Sequence, residues 1–327
     1  MTLISISDID KAHSKIEQRI TRTPLITNES INSLTNAKVY FKLENLQQTG
    51  SFKIRGASHK ISLLSEEQKD KGVVAYSSGN HGQAVACASS DHNINATIVM
   101  PKNAPKIKLE NTKSYGAQII QYDPLKENRE KIGLDIAAKS NKTLIKPYDD
   151  LDIICGQGTV GKEIAEQLQD ENITPDIYLC CCGGGGLIAG SSFYLKNKFS
   201  NIKNYSVEPE GFNDTQLSLQ KKRIIPNATS SHSICDALLA PQPGKISFAI
   251  NKLTLEGGLV VSDLEVKKTI KEIAESLKLM TEPGGAVAAA AVLSKKIDIE
   301  GKTIVVLLSG GNIDYDFFLK IITENYE

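Results

Sequence analysis

The sequence predicts an α/β protein: a large twisted sheet domain with a smaller, parallel-sheet domain inserted into it. Two observations predict this. Short β-rich apolar runs alternate with longer helix-period segments, as βαβ units require. The chain is also 327 residues long, more than one small core needs.

In chain order, strands are expected at Val39–Leu43, Val73–Tyr76, Ala96–Met100, Gln118–Gln121, Asp176–Cys180, Tyr205–Val207 and Thr303–Leu308. Between them, Leu125–Ser140 places Ile132, Ile136 and Ala137 on one helical face, and Gly161–Leu168 and Leu264–Leu279 are similarly amphipathic. Pro105 and Pro283 open two further helices, where a missing N–H costs little. Residues 71–147 hold three or four strands with their helices and read as the inserted domain. The flanks, 1–70 and 148–327, then form the larger one, and the cleft between the two is the natural ligand site.

Composition narrows the function. Lys+Arg and Asp+Glu both number 38, so no basic excess points to a nucleic acid or an acidic membrane. Near-neutral charge does little to keep a chain monomeric and is compatible with a homo-oligomer. Acidic residues stand where a secretory leader would be basic and apolar, and the longest apolar runs are strand-length. The six cysteines (Cys87, Cys155, Cys180, Cys181, Cys182, Cys235) form no C-x-x-C pair. They read as small buried residues of a chain in the reducing cytoplasm.

Four stretches carry chemistry. Gln48-Thr49-Gly50-Ser51-Phe52-Lys53-Ile54-Arg55-Gly56 follows a strand and opens a helix, with Ser51 as the expected N-cap. A lysine in a helix's first turn faces the positive end of the dipole, which lowers its pKa and favours the nucleophilic neutral amine. A lone lysine would read as a solvated surface residue; the neighbouring stretches argue otherwise. Ser77-Ser78-Gly79-Asn80-His81-Gly82 joins a strand to an alanine-rich helix, where hydroxyls and backbone N–H groups make a carboxylate socket or a plain capping turn. Gly183-Gly184-Gly185-Gly186 follows another strand. Consecutive glycines at a helix start suit a phosphate cradle, since backbone can approach the ligand closely. Gly184, Gly186 and Ala189 also satisfy the dinucleotide pattern G-x-G-x-x-A, with Glu208 near the spacing of its ribose-binding acid. Ser309-Gly310-Gly311-Asn312 ends the last strand, where α/β sheets bind ligands.

Taken in order, from Thr23-Pro24-Leu25 to Ser309-Gly310-Gly311-Asn312, these stretches resemble the fold type II pyridoxal-phosphate enzymes (tryptophan synthase β-like), specifically the serine racemase and serine/threonine dehydratase (threonine ammonia-lyase) family. The S-F-K-I-R-G segment favours this over a nicotinamide enzyme. The resemblance implies that Lys53 is the Schiff-base lysine, that Phe52 packs near the cofactor and that Gly183, Gly184, Gly185 and Gly186 hold its phosphate. It implies that Asn80 bonds the phenolic oxygen and Ser309 the pyridine nitrogen. Ser77, Ser78 and His81 would surround the substrate carboxylate and α-carbon, with Ser78 a second catalytic proton carrier opposite Lys53. Arg129 matches an arginine of the racemase-like branch and would bind a substrate carboxylate; otherwise it is a solvated helix residue. Glu208, Phe212 and Asp214 match that branch's divalent-cation site, whose oxygen ligands suit Mg²⁺, Ca²⁺ or Mn²⁺. The implied activity is elimination of water and ammonia from L-serine and L-threonine with serine racemisation, or alternatively ammonia loss from threo-3-hydroxyaspartate. A homodimer is implied by the resemblance.

Overall fold

The computed structural model describes residues 3–77, 79–228 and 232–326. Its strands are β1 (Leu25–Thr27), β2 (Lys38–Leu43), β3 (Val73–Tyr76), β4 (Ala96–Pro101), β5 (Gln118–Tyr122), β6 (Thr143–Leu144), β7 (Ile177–Cys181), β8 (Lys203–Pro209), β9 (Leu255–Val261) and β10 (Thr303–Leu308). They form a six-stranded sheet, β1-β2-β10-β7-β8-β9, and a four-stranded sheet, β5-β4-β3-β6. Every pairing is parallel except β1 with β2. Thr303–Leu308 is β-branched and leucine-rich and buried on both faces, so it lies inside the sheet rather than at its edge. In register, Leu308 faces Leu43 of β2, and Val306 faces Leu179 of β7. This aligns the carboxyl ends of three strands at one rim.

All seven expected strands are present, with ends shifted by a residue or two. β1, β6 and β9 were not anticipated. The first two span three and two residues, too short for alternation to show, and β9 carries Gly257 and Gly258, residues depleted in strands. The expected helix Gly161–Leu168 is the second half of Leu151–Asp170; Gly156 and Gly158 obscured its start. Leu125–Ser140 shortens to Arg129–Ser140, capped by the Asn128 side chain.

The Lys53–Ser62 helix crosses Leu151–Asp170 at small residues: a Cβ on Gly156 would lie 2.7 Å from Gly56 Cα. Its apolar side contributes Ile54, Ala57 and Ile61 to the core of the four-stranded sheet, beside Ile98, Met100 and Ile153. Its other side sends fully buried Arg55 to Glu44 and Glu163, each at 2.7 Å, while Lys42 of β2 reaches Glu163 at 2.6 Å. The lysine-bearing helix is thereby keyed to both sheets.

Candidate active site

A cleft opens at the carboxyl ends of β10, β7 and β3, and Phe52, Lys53, Ser77, Asn80, His81, Arg129, the glycines 183–186 and Ser309 all line it. Ser78 lies outside the described residues.

The chain enters Lys53 through a tight turn in which Thr49 (φ 66°) and Gly50 (φ 70°) take left-handed conformations. Ser51 does not cap the helix as expected. It is extended, bridged antiparallel to Gly310, and Phe52 occupies the N-cap position. The Phe52 N–H donates to Ser309 O at 3.2 Å, which ties the lysine turn to the end of β10. Lys53 Nζ donates to Pro147 O at 2.8 Å and lies 5.1 Å from the Phe52 ring centre. Its pKa is pushed down to about 8: burial is the largest cause, Cys181 opposes it and the Arg129 charge adds to it.

Across the cleft, Ser77 Oγ accepts from Gly79 N at 2.9 Å, and the Asn80–Ser90 helix begins at once. Asn80 Nδ2 donates to Glu282 Oε1, and Asn80 Oδ1 accepts from Asn312 Nδ2 at 3.0 Å. Glu282 is paired at 2.7 Å with buried Lys108, which also meets Asp236 at 2.7 Å. Both the oxygen and the nitrogen of the Asn80 amide are thus oriented, leaving a second N–H hydrogen for a ligand. His81 Nε2 pairs with Ile145 O at 3.0 Å, so that nitrogen carries the proton, and Nδ1 is buried without a partner among the described residues. Burial first, then the nearby Lys53, lowers its pKa to about 3, so His81 is neutral.

The four glycines link β7 to the Gly186–Lys198 helix. Gly185 has φ +90°, which glycine alone adopts without strain. A Cβ on Gly184 would overlap the Tyr148 ring at 2.3 Å, and one on Gly186 would meet Tyr148 O at 2.7 Å. The loop is therefore bare backbone at a helix start, a cradle that fits a phosphate. Ser309 Oγ accepts from Cys181 Sγ at 3.1 Å. Arg129, half-buried, begins its helix at the same cleft.

Glu208, Phe212 and Asp214 stand apart from this cleft. Glu208 caps the Asp214–Lys221 helix, its two oxygens accepting from Thr215 N and Gln216 N at 2.8 Å each, so it is not placed as a ribose-binding acid. Asp214 Oδ1 accepts from Asn227 Nδ2, while Oδ2 is buried without a partner among the described residues. Burial, then the like charge of Asp214, pushes the Glu208 carboxyl well up, and burial raises Asp214 to about 7. Among the described residues, no three His, Cys, Asp or Glu side chains group as a metal site, so any ion here would also need backbone oxygen or water.

Lys108, Glu282 and Cys181 escaped the sequence reading. Glu282-Pro283 at a helix start was a usable signal for the second; nothing local marked the other two.

An amine held near neutrality, a phosphate cradle, a neutral hydroxyl and a guanidinium in one cleft can together hold a phosphorylated aldehyde cofactor and an amino acid. Known proteins agree. The chain is 38% identical over 323 residues to L-threo-3-hydroxyaspartate ammonia-lyase of Saccharomyces cerevisiae, covering 99% of this chain and 98% of that one. It is 36% identical over 322 residues to L-threonine ammonia-lyase of Thermotoga maritima, with 98% and 79% covered. The structure of maize serine racemase superposes with a TM-score of 0.91 at 36% identity, covering 97% of this chain and 96% of that one. The family model described as pyridoxal-phosphate dependent enzyme matches residues 16–310, and the chain belongs to that family.

Proposed function

We propose that this enzyme removes water and ammonia from L-serine and L-threonine to give 2-oxo acids, and racemises serine as a second activity. The observation that carries the reading is the Lys53 amine, held near pKa 8 in the same cleft as the glycine cradle and Ser309. Bound pyridoxal phosphate supplies the electron sink that acidifies the substrate Cα–H and labilises a β-hydroxyl. Lys53 takes and returns the Cα proton on its face of the substrate. Gly183 to Gly186 would hold the phosphate through backbone N–H groups, with Phe52 beside the ring and Asn80 as a donor to the phenolic oxygen. Ser309 would meet the pyridine nitrogen as a neutral hydroxyl, which does not enforce ring protonation. Ser77 and neutral His81 bound the carboxylate and α-carbon, and Ser78 supplies the proton on the second face.

A second reading, ammonia loss from threo-3-hydroxyaspartate, is favoured by Arg129: a half-buried guanidinium in the cleft suits a second substrate carboxylate. A chiral product assay with L-serine, L-threonine and threo-3-hydroxyaspartate separates the two. Clear preference for hydroxyaspartate overturns the first reading. In Ser78→Ala, elimination should persist while racemisation is lost; unchanged racemisation removes Ser78 from the scheme.

Three further elements belong to the proposal. A divalent cation would join Glu208, Asp214 and the Phe212 carbonyl, supported by the Asp214 oxygen that has no partner among the described residues. Residues 71–147, which contain the whole four-stranded sheet, act as a domain against 1–70 and 148–327. The enzyme works as a cytoplasmic homodimer; six free, buried cysteines fit a reducing compartment, and the dimer is supported by the family resemblance.

A further inference from the structure

We propose that Cys181 is a positioning residue: its thiol donates to Ser309 Oγ and turns that hydroxyl's own hydrogen into the cleft, toward the pyridine nitrogen. The inference rests on the reading of Ser309 given above.

Three consecutive cysteines end β7 and start the glycine loop, and each faces a different way. Cys180 Sγ lies 3.3 Å from the Cys181 carbonyl oxygen, and Cys182 Sγ lies 3.2 Å from Thr215 Oγ1. Cys181 is the one that lines the cleft, with its Sγ 3.1 Å from Ser309 Oγ. Parallel pairing of the two strands brings their ends side by side, where the contact forms. β7 and β10 are parallel neighbours with Leu179 opposite Val306. Two residues further along that register, Cys181 stands opposite Leu308, immediately before Ser309.

A serine hydroxyl has one hydrogen and a freely turning rotor. Backbone bonds already fix the Ser309 main chain: its N–H donates to Gly285 O at 3.3 Å and its carbonyl accepts from Phe52 N. The remaining freedom is the Oγ–H direction. A thiol hydrogen pointing at Oγ repels a hydroxyl hydrogen turned toward sulfur, so the O–H points away and is available to a ring nitrogen as a donor. That arrangement delivers a hydrogen bond without a full positive charge. A thiol is a weak donor, so a serine at position 181 should do the same work at least as well, and an apolar side chain should not.

The test compares Cys181→Val, Cys181→Ala, Cys181→Ser and Ser309→Ala. Pyridoxal-phosphate affinity is read from cofactor fluorescence, absorption spectra of the loaded proteins are taken across pH, and cofactor-free protein is melted as a folding control. Valine keeps the volume; alanine serves if valine prevents folding. Cys181→Val should weaken pyridoxal-phosphate binding about three- to tenfold, the range one neutral hydrogen bond commands. It should also shift the spectrum in the same direction as Ser309→Ala, and Cys181→Ser should restore both. If Ser309→Ala alters the spectrum while neither apolar variant at 181 does, Cys181 has no positioning role. If Ser309→Ala itself changes neither readout, the assignment of Ser309 falls, and the proposal with it.

Discussion

Lys53 is the residue whose chemistry can be read most directly by titration. Burial, opposed by Cys181 and assisted by Arg129, brings its amine to about 8, so the neutral, nucleophilic form dominates above that pH and is lost below it. The rate at which cofactor-free enzyme takes up pyridoxal phosphate should therefore rise with pH through a midpoint near 8. Arg129→Gln removes a nearby positive charge, which raises the amine's pKa, so the midpoint should move upward. Stopped-flow absorbance checks both; a midpoint that stays put in Arg129→Gln, or uptake that survives Lys53→Ala, contradicts the electrostatics. Residues of this kind were legible because motif and chain position carry them: Lys53, Asn80, Ser309 and the glycines sit at strand ends and helix starts. Glu282 and Lys108 were not, since their meaning lies in contacts between distant segments. Asn80 and Glu282 are 202 positions apart.

Among the elements, the glycine loop makes a sharper test than any single side chain, because its neighbours differ in kind. A methyl on Gly184 strikes the Tyr148 ring, which can be removed, whereas one on Gly186 strikes the Tyr148 carbonyl, which cannot. Gly184→Ala should weaken cofactor binding about tenfold, within the ~1–3 kcal/mol that an added methyl group costs in a packed site. Tyr148→Ala should recover much of that loss in the double variant, but none of the loss caused by Gly186→Ala. Equal recovery in both double variants would show that the ring is not the obstacle. The turn into the Asp214–Lys221 helix has its own test. Millimolar Mg²⁺, Ca²⁺ or Mn²⁺ should raise the melting temperature, by an amount equivalent to about 2.7 kcal/mol at a hundredfold excess over Kd, and Asp214→Asn should abolish the effect. No rise with any of the three ions removes the site. At this scale the sequence showed strands of four or more residues well. It hid β1 and β6 for their brevity, β9 for its glycines, and the Ser51 bridge because a serine before a helix ordinarily caps it.

The molecule as a whole is joined at a buried ionic network that no local pattern revealed. Arg55 meets Glu44 and Glu163, and Lys42 meets Glu163, with all four side chains essentially unexposed. Two cations and two carboxylates balance, so the group is tolerable in low dielectric only while complete. Its position gives it reach, because Glu44 follows β2, Glu163 belongs to Leu151–Asp170, and Arg55 stands two residues beyond Lys53 on a helix that completes the second core. Arg55→Met should cost ~3–5 kcal/mol by stranding a buried carboxylate charge. The paired variant Arg55→Met with Glu44→Gln should lose less than the two single costs summed. Acid should act on the same network. Burial raises the Glu163 carboxyl, but Arg55 and Lys42 outweigh it and leave the pKa below the unfolded value of 4.5. The stabilisation is then complete above 4.5 and is lost as pH falls through the lower, folded value. Urea unfolding at pH 7 and at pH 4 and below, followed by circular dichroism and by emission from the ten tyrosines of a chain without tryptophan, measures it. The penalty of Arg55→Met should shrink at the lowest pH, where the stranded Glu163 carboxylate is neutralised. A penalty independent of pH would mean that Arg55 contributes packing rather than charge, and that the lysine-bearing helix is held between its two sheets by apolar contact alone.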